Sequence, residues 1–124
     1  MIRNRLVRVL GIAVAGIALA GGSAVAATGK QAAAPATKIT VKMREFNFDT
    51  SSDIAKAGKI TFVVKNAGNT VHNYFFPDIN KGSKFIQPGQ SQTFVLTLKP
   101  GTYRYICTIP RHAENGMAGA LVVK

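Results

Sequence analysis

Residues 91–98 read Ser-Gln-Thr-Phe-Val-Leu-Thr-Leu, and this stretch decides the fold class of the chain. Large apolar side chains alternate along it with threonine and valine. One face of an extended chain would carry Phe94, Leu96 and Leu98, and the other would carry Thr93, Val95 and Thr97. Period-two alternation is typical of a β-strand with one face on a hydrophobic core. We therefore predict a half-buried strand over residues 91–98.

Strand-like segments lie on both sides of this stretch and are separated by turn signals. β-branched and aromatic residues are frequent in Lys38–Lys42, Lys59–Lys65, Val71–Phe76 and Gly119–Val123. The turn signals are Asn66–Asn69, Pro88–Gly89 and Pro100–Gly101. About seven or eight short strands spaced in this way predict an all-β sandwich or barrel. Only Ser51–Ala57 is expected to form a helical turn, and a short one.

The N-terminal part has the features of an export segment. Three arginines precede an apolar run at Val9–Ala20, and Ala24–Ala26 supplies the small residues that a signal peptidase needs. The run is shorter than the roughly 20 residues that span a bilayer. We therefore predict a signal peptide over residues 1–26, with an uncleaved membrane anchor as the alternative. A flexible tether over residues 27–37 and a folded domain over 38–124 would follow, in the periplasm or another exported location.

The composition limits the kinds of site that the domain can hold. The chain has 124 residues, a formal net charge of +11 and one cysteine. One cysteine excludes an internal disulfide, a four-cysteine zinc or iron–sulfur site, and a dinuclear copper centre with two thiolates. Loss of residues 1–26 would remove three basic residues and no acidic one, which leaves a charge of +8. A lone thiol exported to an oxidising compartment needs protection, and metal ligation is one candidate for it.

Three metal-binding side chains follow one another at five-residue intervals near the C-terminus: Cys107, His112 and Met117. They lie between two predicted strands, and the other histidine of the chain, His72, opens a separate strand. Two imidazoles, a thiolate and a weakly bound axial thioether form the ligand set of a blue-copper electron-transfer site. Gly116 would let the chain bend back before Met117.

Each of these residues has an ordinary structural interpretation when it is taken alone. Cys107 would then be a small buried hydrophobic residue, and His72 a histidine with its hydrogen bonds satisfied. His112 would be a polar loop residue, and Met117 would fill space in the core. The metal interpretation is favoured because every cysteine and histidine of the chain belongs to the one pattern.

A family resemblance adds to this interpretation. Residues 100–123, PGTYRYICTIPRHAENGMAGALVV, resemble the copper-binding end of a cupredoxin, and residues 66–76, NAGNTVHNYFF, resemble its upstream histidine segment. The resemblance covers about Lys38–Lys124, and the C-x4-H-x4-M spacing is most similar to that of the rusticyanin-like members. It implies a Greek-key β-sandwich with one type 1 copper ion. The equatorial ligands would be His72, Cys107 and His112, and the axial ligand would be Met117.

The resemblance also implies a link between the two ligand loops. In the family, the residue after the first histidine is often an asparagine that bonds to the residue after the cysteine, and Asn73 and Thr108 occupy these positions. Such contacts orient the ligands and tune the metal. Arg111 departs from the glycine or small apolar residue that often precedes the C-terminal histidine. The surface around His112, where the electron leaves in this family, would therefore be more polar and cationic.

The resulting hypothesis is an exported one-electron carrier that is not an enzyme, because four protein ligands leave no open coordination position. A copper-buffering or delivery protein is the first alternative, and a structural β-sandwich with accidental ligands is the second. The basic charge predicts redox partner proteins with acidic docking surfaces, and anionic lipid headgroups as a weak further partner. Nucleic acid is not expected as a partner, because the protein is predicted to be exported and its lysines are scattered. We expect a monomer.

Overall fold

The computed structural model describes residues 35–124, so the predicted signal peptide and residues 27–34 of the predicted tether lie outside the described residues. Nine strands are present in this part of the chain: β1 (Lys38–Arg44), β2 (Asn47–Thr50), β3 (Ile54–Ala55), β4 (Gly58–Asn66), β5 (Phe75–Phe76), β6 (Lys81–Gly82), β7 (Ser91–Leu98), β8 (Gly101–Ile106) and β9 (Ala118–Val123). Within residues 35–124, no helix has the length and apolar character that a membrane crossing requires.

The strands form two sheets of mixed direction. The first sheet has the order β2-β1-β4-β7, and the second has the order β3-β9-β8-β5-β6. The pairs β1–β4 and β3–β9 are parallel, whereas the remaining neighbours are antiparallel. Two sheets with a shared hydrophobic core confirm the predicted all-β sandwich.

Aromatic side chains join the two sheets across the core. The rings of Phe62 on β4 and Phe76 on β5 have centroids 5.5 Å apart, and those of Phe48 on β2 and Tyr105 on β8 are also 5.5 Å apart. Burial alternates with a period of two along β1 and β4, as expected for strands with one face on the core. The predicted alternation of residues 91–98 is confirmed, because β7 turns its phenylalanine and leucines inward.

The structure differs from the sequence prediction at two short segments. Ser51–Ala57 contains strand β3 and not a helical turn, because its backbone is hydrogen-bonded to the C-terminal strand β9. This pairing outweighs the weak helical preference of so short a segment. The strand predicted over Val71–Phe76 is reduced to β5, and His72 instead forms an isolated bridge with Ile86. Strands as short as β3 and β6 carry no period-two signal, so the count of nine exceeds the predicted seven or eight.

Two residues assigned to the tether by sequence pattern are hydrogen-bonded to the domain. The Ala36 N–H donates to the Ile54 carbonyl at 3.1 Å, and the Thr37 carbonyl accepts from the Thr61 N–H at 2.9 Å. The folded domain therefore includes residues 36 and 37.

Candidate metal centre

The loop between β8 and β9 carries three of the four predicted ligands. Cys107 directly follows β8 and Met117 directly precedes β9, so the antiparallel pairing of these strands holds both ends of the loop. The Cys107 N–H donates to the Met117 carbonyl at 3.1 Å, and the Met117 N–H donates to the His112 carbonyl at 3.0 Å. Gly116 has φ +127°, and a Cβ at this position would lie 2.7 Å from the Phe46 carbonyl oxygen. The loop can therefore turn back only through a glycine here.

The fourth predicted ligand comes from the segment between β4 and β5. The backbone of His72 exchanges two hydrogen bonds with Ile86, at 3.2 and 2.8 Å, and its side chain is fully buried. The side-chain amide of the buried Asn66 donates to the Thr70 and Ile86 carbonyls at 2.7 Å each. These contacts hold the segment against the sandwich and point its histidine toward the β8–β9 loop.

Two imidazole nitrogens and one sulfur converge at this end of the sandwich. The Nδ1 atoms of His72 and His112 are 3.1 Å apart, and the Cys107 Sγ atom lies 3.9 Å from the first and 3.5 Å from the second. Donor separations of about 3.5 to 3.7 Å are expected when bonds of about 2.0 Å to nitrogen and 2.3 Å to sulfur meet at one ion in a trigonal plane. The donors therefore fit a single ion that accepts both imidazole and thiolate, such as copper or zinc.

Met117 is fully buried in the hydrophobic core beside the neck of the loop. Its backbone contacts to Cys107 and His112 place it in the same loop as two of the three donors. The axial role of its thioether stays a prediction.

Asn73 and Thr108 join the two segments that carry the ligands. The Asn73 Nδ2 atom donates to the Thr108 Oγ1 atom at 2.9 Å, and its Oδ1 atom accepts from the Thr108 N–H at 2.7 Å. The two residues follow His72 and Cys107 directly, so this pair of hydrogen bonds couples the two ligands through their neighbours. Their effect on a bound metal stays a prediction.

His112 lies nearer the surface than the other donors. Its ring is half-buried and packs edge-on against the partly exposed ring of Phe46, with centroids 5.2 Å apart. Burial and the nearby His72 lower the pKa of His112, whereas Glu45 acts in the opposite direction. A lowered pKa favours the neutral imidazole, which is the form that binds a metal.

Sequence reasoning missed Glu45, which lies between β1 and β2. Its Oε1 atom is 3.1 Å from the Nε2 atom of the buried His72. Burial raises the pKa of Glu45, but hydrogen bonds from its own backbone, Thr70 and Asn69 outweigh this and lower it to about 2. The carboxylate lies 27 residues before the histidine, and no spacing pattern in the sequence links the two.

Comparison with known proteins shows which family the chain belongs to. A family model described as a cupredoxin-like domain matches residues 13–123. The chain belongs to the cupredoxin-like family. The match includes His72, Cys107 and His112, whose donor atoms lie within 4.8 Å of one another.

Individual cupredoxins resemble the chain to different degrees. Rusticyanin from Acidithiobacillus ferrooxidans is 39% identical over 77 residues, which make up 62% of this chain and 47% of rusticyanin. The matched region thus spans about half the length of that relative.

Solved structures share the fold at lower identity. An auracyanin from Roseiflexus castenholzii, reduced with dithionite, is 24% identical with a TM-score of 0.62, covering 73% of this chain and 99% of its own. Auracyanin A from Chloroflexus aurantiacus, described as a "blue" copper protein, is 19% identical with a TM-score of 0.56, covering 70% and 99%. Both similarities show that the described residues 35–124 have the cupredoxin fold.

Proposed function

We propose that this protein is an exported blue copper protein that carries single electrons between redox partners. The observation that carries the proposal is the convergence of His72, Cys107 and His112, whose donor atoms all lie within 4.8 Å of one another. The likeness to rusticyanin and to auracyanin A, a blue copper protein, supports the same function. The apolar run and small residues of residues 1–26 support export.

The site is suited to electron transfer because two of its three donor residues are buried and hydrogen bonds join the segments that carry them. Copper, when bound, supplies a one-electron couple between Cu(II) and Cu(I). His72 and Cys107 are 0% and 1% exposed, and they are linked through the Asn73–Thr108 hydrogen bonds. A donor frame that moves little between the two oxidation states keeps the reorganisation cost low. With Met117 as fourth ligand no coordination position is open for a substrate, so we propose a carrier and not an enzyme.

His112 is the proposed route by which the electron leaves. It is the donor residue nearest the surface among the three, and the exposed edge of Phe46 lies beside it. Arg111, which is exposed and directly precedes His112, adds a positive charge to this part of the chain.

Addition of Cu(II) to the purified protein tests the proposal. We expect an intense blue thiolate-to-copper absorption that ascorbate bleaches reversibly, and its loss in Cys107→Ser. A colourless complex, or one that a chelator strips readily, would indicate a copper-buffering or delivery protein instead. Absence of binding would contradict both functions and leave a structural sandwich.

Paired methionine variants test the axial ligand. Met117→Gln should keep the blue colour and lower the reduction potential, because an amide oxygen is a harder donor that favours Cu(II). Met117→Leu should raise the potential, because it removes a donor from Cu(II). Met43→Leu is the matched control, since Met43 is equally buried on β1 outside the donor set. Equal potentials in Met117→Leu and Met43→Leu would remove Met117 from the ligand set.

We further propose that the redox partners have acidic docking surfaces and that the protein acts as a monomer. Four lysines are exposed on the first sheet, two on β1 and two on β4: Lys38, Lys42, Lys59 and Lys65. Electrostatic steering predicts that salt slows oxidation of the reduced protein by anionic ferricyanide and accelerates its oxidation by a cationic cobalt(III) phenanthroline complex. Rates that do not depend on salt would argue against steering.

A further inference from the structure

The turn between β1 and β2 contacts both histidines of the metal centre through consecutive residues. Glu45 reaches the Nε2 atom of His72 at 3.1 Å, and Phe46 packs edge-on against His112 with ring centroids 5.2 Å apart. Neither Glu45 nor Phe46 lies on the segments that carry the predicted ligands. The turn is therefore a third segment of the site.

Parallel pairing of β1 with β4 brings this turn to the metal centre. Parallel strands end at the same edge of a sheet, and Met43 near the end of β1 is opposite Asn66 at the end of β4. The Ala67 N–H donates to the Met43 carbonyl at 2.9 Å and extends the pairing beyond the strand. The chain that follows β1 consequently lies beside the chain that leads from β4 to His72.

The Glu45 carboxylate is held by several donors at once. Its Oε1 atom accepts from the Asn69 N–H at 2.7 Å, from the Thr70 N–H at 2.7 Å and from the Thr70 hydroxyl at 2.9 Å. A Cβ on Gly68 would lie 2.7 Å from the carboxylate oxygens, so only glycine leaves room for the carboxylate at this position. These hydrogen bonds hold the carboxylate in place independently of its contact with the histidine.

The contact determines which nitrogen of His72 carries its proton. An ionised carboxylate only accepts hydrogen bonds, so the Nε2 atom must donate to Glu45. The Nδ1 atom then keeps a free lone pair, and this is the atom that faces the Cys107 sulfur at 3.9 Å and the His112 Nδ1 atom at 3.1 Å. Only this tautomer can bind a metal at the point where the donors converge.

We propose that Glu45 is a positioning residue of the metal centre. It holds the His72 ring in the Nε2–H tautomer, orients it toward the other donors, and raises the basicity of the ligating Nδ1 atom. A more basic imidazole favours Cu(II) over Cu(I), so Glu45 lowers the reduction potential. This inference rests on metal binding at the proposed site and does not require that the bound metal carry electrons.

Nitrogen NMR of the metal-free wild-type protein tests the tautomer directly. Spectra of ¹⁵N-histidine-labelled protein near pH 8, well above the usual imidazole pKa of about 6.5, should show the His72 proton on Nε2. His112→Gln assigns the two rings, since the chain has only two histidines. A His72 proton on Nδ1 would overturn the proposal, and this measurement needs neither copper nor a Glu45 variant.

Charge-matched variants test the effect on the metal. Glu45→Gln should weaken Zn²⁺ binding by roughly 10- to 100-fold, as is usual when a partner of a metal-bound histidine is removed. Asp49→Asn is the control, because it removes an equal charge from an exposed position on β2. In the copper form, a tenfold loss of preference for Cu(II) over Cu(I) in Glu45→Gln would raise the potential by about 59 mV.

Unchanged Zn²⁺ affinity and potential in Glu45→Gln, or equal changes in Asp49→Asn, would overturn the proposal. Zn²⁺ is redox-inert, so a protein that binds no blue copper can still pass or fail this test. Failure of the electron-carrier function is thereby distinguished from failure of the role of Glu45.

Discussion

Tyr74 is fully buried among aromatic rings, and its hydroxyl has no hydrogen-bond partner within the described part of the chain. Four rings surround it with centroid distances of 4.8 to 5.9 Å: Phe48, Phe62, Phe76 and Tyr105. Burial raises the pKa of Tyr74 far above its usual value, because a phenolate would be still costlier there. The ring stabilises the core, whereas the hydroxyl opposes folding.

Tyr74→Phe is therefore expected to stabilise the metal-free protein by about 1 kcal/mol, since it removes an unpaired buried hydroxyl and keeps the ring. Urea denaturation measures the change. Tyr103→Phe is the control, because its hydroxyl donates to the Lys99 carbonyl at 2.8 Å and its loss should be mildly destabilising. Destabilisation by Tyr74→Phe would mean that the hydroxyl has a partner.

Arg111 adopts φ +69°, a left-handed conformation that costs a residue with a Cβ about 1–2 kcal/mol. Only glycine adopts this conformation without a steric cost. The same residue places a positive charge beside His112.

Arg111→Gly should stabilise the metal-free protein by up to about 1 kcal/mol, because relief of the left-handed strain exceeds the added entropy of the unfolded chain. Arg111→Ala keeps the Cβ and removes the charge, so it should give no such gain. Thermal unfolding of the two variants separates backbone strain from charge. A gain of equal size in Arg111→Ala would assign the effect to the charge.

Among the elements, the segment between β4 and β5 depends most on one buried polar side chain. The amide of Asn66 donates to the Thr70 and Ile86 carbonyls, and its Oδ1 atom accepts from the Gly68 N–H at 2.9 Å. The sequence predicted a turn at Asn66–Asn69, and the structure adds that its first residue joins two segments of the domain.

Asn66→Ala should destabilise the protein by about 1–3 kcal/mol, because a fully buried amide loses its hydrogen bonds to the Thr70 and Ile86 carbonyls and from the Gly68 N–H. It should also weaken Zn²⁺ binding, since the segment that carries His72 keeps its backbone bonds to Ile86 but loses the Asn66 side-chain bonds to Thr70 and Ile86. Asn47→Ala on the exposed side of β2 is the control. Denaturation and metal titration check both effects, and a loss below about 0.5 kcal/mol would contradict this role.

At the scale of the whole molecule, stability at alkaline pH depends on buried tyrosines. The Tyr105 hydroxyl donates to the Asp53 Oδ1 atom at 2.8 Å. Burial, followed by this hydrogen bond and the charge of Asp53, raises the pKa of Tyr105 to about 12, whereas an unfolded tyrosine titrates near 10. The folded state thus keeps a proton that the unfolded state loses, and stability falls as pH rises between about 10 and 12.

Tyr105→Phe should flatten this fall, because one of the protons that links folding to pH is removed. The fall should not vanish, since the pKa of Tyr74 is also raised. Urea denaturation from about pH 8 to about pH 12 measures how steeply the free energy of unfolding falls with pH in each protein. The difference in that free energy between the two proteins below about pH 9 serves as the baseline. Equal slopes above pH 10 would contradict the assignment to Tyr105.

Much of the fold and of the donor set follows from local pattern. Alternation along residues 91–98 predicted which face of β7 is buried, and the spacing of Cys107, His112 and Met117 predicted a loop between two strands. These features depend on neighbours in the chain, because side chains two apart share a strand face and a short loop keeps its donors close. The prediction of a helical turn at Ser51–Ala57 was wrong because the pairing of β3 with β9 outweighed the local helical preference.

The sequence by itself thus determined the β-sandwich class and the basic composition and indicated the candidate ligands, whereas export stays a prediction. Only the tertiary structure decided that β1 pairs in parallel with β4, which brings Glu45 to His72 and Phe46 to His112. Period-two alternation specifies which face of a strand is buried but not which strand pairs with it. Strand pairing is decided when all the apolar faces are buried together in one core, so contacts that depend on it leave no pattern in the local sequence.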